Sequence, residues 1–213
     1  MKDLVILAAD KDAQQCLTEL LRRTDSLAQF GIASFTYDVI VHPLHDPGCR
    51  LKSADVLGIL KEKYRYAAVV FDREGCGDER SSIAELSAAV VAQLTAAGWS
   101  ERAAAFVVDP EIENWVWTNH DRMARVIDWN TANELSAWRN AEGWKITSSK
   151  KPERPKECFR AALRAKRVQV SSSLFGEIAE GAPLSRCQDP AFKGLLDQLA
   201  CWFPKAPPTD GQG

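Results

Sequence analysis

The sequence predicts an α/β protein: a parallel sheet of about four strands flanked by helices, followed by a helical C-terminal half. Three observations predict it. Four short apolar segments alternate with helix-period patterns through the first half. The segment 67–71 is apolar at consecutive positions, as a strand covered on both faces must be. The second half carries helical patterns and no convincing strand.

Taken in order, Leu4–Ala8 reads as the first strand. The pattern Ala13, Cys16, Leu17, Leu20, Leu21 then has helix spacing. Phe35–Val41 alternates as a second strand. After a His- and Pro-rich loop, Ser53 is placed to cap a helix carrying Val56, Leu57, Leu60 and Tyr64. Ala67–Phe71 is the third strand. Ser82 and Glu85 have capping-box spacing before a helix with Ile83, Val90, Val91 and Leu94. Gly98 is a natural stop, and Ala103–Val108 is the fourth strand. Asp109-Pro110 reads as a helix start carrying Ile112, Trp115 and Val116. A Trp-rich stretch follows (Trp129, Trp138, Trp144), then a Lys/Pro loop and a basic helix over about 156–167. A last helix begins at Asp189-Pro190, with Phe192, Leu195, Leu196, Leu199 and Trp202 on one face. The expected organisation is an α/β domain over 1–118, a helical extension packed on it over 119–204, and a disordered Pro- and Gly-rich tail over 205–213.

The chain has 213 residues and a net charge of −2, so bulk charge does not make it a polyanion binder. The charge is unevenly placed. Residues 150–167 hold eight Lys or Arg against two acids, which is +6 and leaves −8 for the rest. Such asymmetry suits a polyanion contact on an acidic body. The apolar run Leu4–Ala9 is too short for a signal peptide, and Asp10, Lys11 and Asp12 follow at once. No stretch reaches the roughly 18 apolar residues of a membrane span. The expectation is a cytoplasmic protein without membrane partners, its six cysteines reduced.

In parallel sheets the loops after the strands form the site. Here those loops hold Asp10 and Asp12, then His42 and His45, then Asp72 and Glu74, then Asp109, Glu111 and Glu113. Residues i and i+2 of a strand share a face, so Asp72 and Glu74 are expected to converge. Converging carboxylates suit a hard cation, Mg²⁺ or Mn²⁺. Asp10, Asp72, Glu74 and Glu111 are the candidate metal ligands, and Asp10, Asp72, Glu74 and Glu113 the candidate catalytic acids. The plain alternatives are an N-cap for Asp10 or Asp12, and favourable helix-dipole placement for Glu111 and Glu113. His42, His45, Cys49 and Cys76 are types that bind zinc, though not at the spacing of a zinc finger. Their alternative is a turn shaped by Pro and Gly. Lys150, Lys151, Arg154, Lys156, Arg160 and Arg164 are the candidate nucleic-acid contacts, with a solvated surface helix as the alternative. No P-loop, dinucleotide or Gly-x-Ser-x-Gly motif is present.

Several short motifs together resemble a family. They are Val69-Val70-Phe71-Asp72-Arg73-Glu74-Gly75, then Val107-Val108-Asp109-Pro110-Glu111-Ile112-Glu113-Asn114-Trp115, a Lys/Arg-Pro loop before a helix, and Arg186-Cys187-Gln188-Asp189-Pro190-Ala191-Phe192. In this order they resemble bacterial Toprim-like proteins of unknown function, and more closely the small Toprim-like component of methylation-associated phage-defence systems. Toprim domains bind Mg²⁺ through a Glu after the first strand and an Asp-x-Asp after the third. The resemblance carries the second motif onto Asp72 and Glu74, with Glu in place of the second Asp. The first motif falls near Ala9 and Asp10, which makes Asp10 the candidate substitute. The implied functions are a Mg²⁺-dependent nuclease or other phosphodiester-acting enzyme of antiviral defence, or a catalytically inactive sensor or scaffold on the same fold. Nucleic acid and other defence proteins are the implied partners.

Overall fold

The computed structural model describes residues 1–206. Its centre is a four-stranded sheet of β1 (Lys2–Ala8), β2 (Tyr37–Val41), β3 (Tyr64–Asp72) and β4 (Ala103–Val108). All pairings are parallel and the order is β2-β1-β3-β4. Helices α1 (Lys11–Leu21) and α2 (Thr24–Ala28) follow β1, α3 (His45–Leu57) follows β2, and α4 (Ile83–Leu94) follows β3. Beyond β4 the chain is helical: α5 (Glu113–Val116), α6 (His120–Val126), α7 (Ala132–Ala141), α8 (Pro155–Ala165), α9 (Ser173–Glu180) and α10 (Pro190–Trp202).

Strand alternation divides the core into two layers. Leu4, Ile6, Ala8, Ala68, Val70, Phe106 and Val108 face α1 and the helical half, where they meet Trp115, Phe159, Phe175, Leu195 and Leu199. Val5, Leu7, Ala67, Val69, Phe71 and Val107 face the other way, against Leu57 of α3, Leu86, Val90 and Leu94 of α4, and Trp99. Each fully buried Val, Leu or Phe contributes about 1.5–3 kcal/mol. A one-residue slip of β3 would send all its apolar side chains to the wrong layer. That register is what puts Asp72, the last residue of β3, at the rim.

From β1 the chain steps to β2 on one side, then returns across β1 to β3 on the other. The reversal opens a crevice between the carboxyl ends of β1 and β3, the place where such sheets bind ligands.

Several local expectations are corrected. β2 begins at Tyr37, because Phe35 leaves the sheet edge to stack on Phe203 at 4.3 Å. Tyr64 opens β3 rather than closing a helix. The His-Pro loop is itself helical from His45, with Pro47 in the first turn, where its missing N–H costs nothing. Lys52 kinks that helix, and Ser53 is buried inside it instead of capping it. Asp109-Pro110 does not start a helix; α5 begins at Glu113. The amide N–H groups of Arg73 and Glu74 donate to the carbonyls of Val108 and Pro110, which ties this segment to the end of β3. The Ser82–Glu85 capping box is present as predicted. Of the proposed tail, Lys205 donates its N–H to Gly31 O at 2.8 Å, and 207–213 lie outside the described residues. No helix among the described residues is long and apolar enough to cross a membrane.

Candidate metal centre

Asp72, Glu111 and Glu113 come together at the crevice, each offering a carboxylate oxygen within 4.8 Å of the others. They are 7, 3 and 2% exposed, so the cluster is almost dry. β3 supplies Asp72 from one side. The segment after β4 supplies the two glutamates, held down by its backbone bonds to Arg73 and Glu74.

The roof is α8. Trp117 Nε1–H donates to Pro155 O at 3.0 Å and fixes the start of that helix. Glu111 completes the joint. One of its oxygens accepts from the Lys156 backbone N–H at 2.9 Å, and the other lies 3.3 Å from Lys156 Nζ. A carboxylate at a helix N-terminus is favoured both by the free N–H groups and by the dipole. Glu111 is therefore engaged at both oxygens, though each keeps a second acceptor site. Glu113 is not: its Oε2 is buried and has no hydrogen-bond partner. Buried carboxylate oxygens without a partner are costly, and one on a residue clustered with two more carboxylates is a strong pointer to a cation.

The electrostatics agree. Burial raises the pKa of Glu113 to about 7; Lys156 opposes the rise and Glu111 adds to it. Asp72 stands well above the ordinary carboxylate value, by burial first and then by Asp46 and Glu113. Burial also raises Glu111, against the pull of Lys156. Burial works against the charge of Lys156, but Glu113, Glu111 and Asp72 outweigh it and raise its pKa above the usual lysine value. The set is thus three acids sharing one close ammonium group.

A second row of acids surrounds this set. Asp46 sits in the first turn of α3, and its Oδ1 accepts from the Asp72 N–H at 2.8 Å. Burial raises its pKa, as it does for Asp12, which accepts a hydrogen bond from Ser172 Oγ. Asp10 caps α1, its Oδ1 accepting from Ala13 N–H at 2.8 Å. Its charge raises the pKa values of Asp12, Asp46 and Asp72, so it borders the cluster without joining it.

Two expectations about ligands change. Glu74 does not join the cluster: β3 ends at Asp72, and the following turn, with Gly75 and Gly77 at φ +83° and +82°, breaks the two-residue alternation. Glu74 is exposed and lines a shallow hollow with Arg73, Glu79 and Asp109. Nor do His42, His45, Cys49 and Cys76 assemble; among the described residues no group with metal-ligand geometry contains them. His45 is exposed, while both thiols are packed in the apolar layer beneath. Burial, then Asp46, Asp10 and Asp72, push the Cys49 thiol far up and oppose the thiolate that zinc needs. His42 Nδ1 instead accepts from Leu44 N–H at 3.0 Å. A Cβ at Gly48 would lie 2.1 Å from that same nitrogen, so the turn closes around the ring and needs glycine there.

The basic residues separate. Lys156 belongs to the acidic cluster. Arg160, one turn further along α8, is exposed and its charge is felt at Asp12. Arg164 is exposed, and Arg154 pairs with Glu157. Lys150 and Lys151 turn away to a different pocket, with Arg186.

Sequence reasoning missed Asp46 and misjudged the part Lys156 plays. Only a contact spanning 26 residues reveals Asp46, and only the third dimension makes Lys156 an internal counter-ion. No family model, curated protein or solved structure matches the chain.

Proposed function

We propose that this protein is a divalent-cation-dependent enzyme acting on nucleic-acid phosphodiesters, as a component of bacterial antiviral defence. One observation carries the chemistry: the unpartnered Glu113 Oε2 inside a dry cluster of three carboxylates. Asp72, Glu111 and Glu113 would hold Mg²⁺ or Mn²⁺. Bound there, such an ion would polarise a phosphoryl oxygen and make water more acidic. The chain's own residues supply the rest. In the metal-free protein Glu113, with its pKa raised to about 7, can hold a proton that an ion bound there would displace. Lys156 offsets part of the cluster's own negative charge, which would otherwise repel a phosphate. Arg160 and Arg164 on the exposed side of α8 offer contacts to a phosphate backbone. The defence setting rests on the sequence resemblance alone.

A second reading, a sensor or scaffold subunit without catalysis, is favoured by two engagements. Glu111 is occupied by Lys156, and Asp10 by its helix cap. One experiment separates the two. Plasmid, single-stranded DNA and RNA are incubated with the protein in Mg²⁺ or Mn²⁺, beside Glu113→Gln and Asp72→Asn. Mn²⁺ binding is followed in parallel by calorimetry. Cleavage that both variants lose by about 100-fold or more supports the enzyme. Mn²⁺ binding without cleavage supports the scaffold. No Mn²⁺ binding at millimolar concentration overturns the metal centre.

A further inference from the structure

A second pocket borders the segment that carries the glutamates, through Asp109, Asn114 and Trp117. Its volume is about 710 Å³, within the range of small-ligand sites. Three cations line it: Lys150 and Lys151 from the loop before α8, and Arg186 from the turn before α10.

Lys151 is the informative one. It is only 8% exposed, yet no carboxylate among the described residues lies within 4 Å of its ammonium group. Its one hydrogen bond is to the Asn114 carbonyl, 2.6 Å away. An ammonium group has three donors, so two are left over. Burying a cation without a counter-ion is costly, and native sites with such a group pair it or bind something. Arg186 and Lys150 are exposed and likewise lack an ion pair among the described residues. His120, at the same wall, has a buried Nε2 with no partner.

The two acids of the pocket do not answer these cations, because both are already engaged. Asp189 Oδ1 accepts from the N–H groups of Ala191 and Phe192, and its Oδ2 accepts from Asn114 Nδ2 at 2.8 Å. Asp109 pairs with Arg73 at 3.2 Å. What remains open to a ligand is positive charge beside an apolar wall that includes Val107, Ile83 and Pro190. We infer that this pocket binds a phosphomonoester, its phosphate held by Lys150, Lys151 and Arg186. The group could be carried by a free nucleotide or by the 5′ end of a nucleic-acid strand. The chemistry recognised is the same, a compact dianion that Arg and Lys donors match well.

The test uses the full chain in EDTA, so that the acidic cluster plays no part. Calorimetry measures AMP, adenosine, and one eight-nucleotide strand with a 5′-phosphate or a 5′-hydroxyl. Arg186→Glu and Lys150→Glu alter exposed residues and leave the fold intact; Lys151→Met serves as a third variant if its melting curve stays cooperative. Binding of AMP but not adenosine, weakened about tenfold or more by Arg186→Glu, supports the site with a free nucleotide as its source. Binding of the phosphorylated strand alone, with the same loss in the variants, supports it with a strand end. Equal binding of phosphorylated and hydroxyl strands, affinity unchanged in both exposed variants, or no binding at millimolar ligand would each overturn it.

Discussion

The acidic cluster and the basic pocket share two segments, 109–117 and 150–156, yet they treat charge in opposite ways. Glu113 enters the cluster while Asn114, the next residue, lines the pocket. Lys151 lines the pocket while Lys156, five residues on, pairs into the cluster. In the pocket the acids are satisfied by backbone, amide or arginine donors, and the cations are left open. In the cluster the cation is engaged and an acid is left open. A list of charged residues along these segments would look balanced. The useful distinction is which charge the fold has already neutralised, because only the remainder can act on a ligand.

The largest test of that asymmetry is pH. Glu113 has a pKa near 7 in the folded protein and 4.5 as its ordinary value. Between those values the folded form holds a proton that the unfolded chain has released. The stability this contributes is complete below pH 4.5 and is lost as pH rises through 7. The shift corresponds to about 3 kcal/mol. Asp72, Asp46, Asp12 and Glu111 are raised too and act in the same direction. Urea unfolding in EDTA should therefore show metal-free stability falling from pH 5 to pH 8, with Glu113→Gln flattening the fall. Saturating Mn²⁺ should flatten it as well, since the ion takes the place of the proton. A parent and variant with the same slope would show that Glu113 is not an open acid.

Lys156→Met attacks the comparison from the other side. It removes the ammonium group that pairs with the cluster while keeping most of the side chain's apolar stem. Breaking a buried pair costs about 3–5 kcal/mol, and partial exposure of Lys156 lowers that to about 2 kcal/mol at pH 7.5. The loss should shrink at pH 5, where the acids can hold protons, and shrink again in Mn²⁺. The same change at Arg154, which pairs with Glu157 at the surface, should cost less than about 1 kcal/mol. Equal losses at the two positions would mean that Lys156 is an ordinary surface cation.

Much of this arrangement was legible in the chain. Continuous apolar runs ending in acids mark β3 and β4, and they place Asp72 at the rim. Glu111 and Glu113 stand out as acids just beyond a strand. Other parts depend on contacts that no local pattern carries. Asp46 reaches Asp72 because α3 starts earlier than its apolar period suggests. The eight-residue α9 does carry a helical period, with Leu174, Phe175, Ile178 and Ala179 buried on one face, but at two turns it is short enough to be overlooked. The basic segment looks like one phosphate-binding surface, yet Trp117 and Glu111 anchor α8 so that its first lysine turns inward. Lys150 and Lys151, only a few residues earlier, end in the other pocket.

The smallest expected effect sharpens the acidic side alone. Glu74 is two residues from Asp72 in sequence, and its charge contributes to the raised pKa of Glu111. It is nevertheless exposed and outside the three-carboxylate cluster. A charge in water is screened, whereas one in a dry cluster is not. Glu74→Gln should change Mn²⁺ affinity by no more than about twofold, while Glu113→Gln should weaken it by about tenfold or more. Calorimetry in 0.15 M salt distinguishes the two. If Glu74→Gln proves as damaging as Glu113→Gln, the turn after β3 must close over the ion on binding, and the carboxylate pair expected from strand spacing would be restored in the bound state.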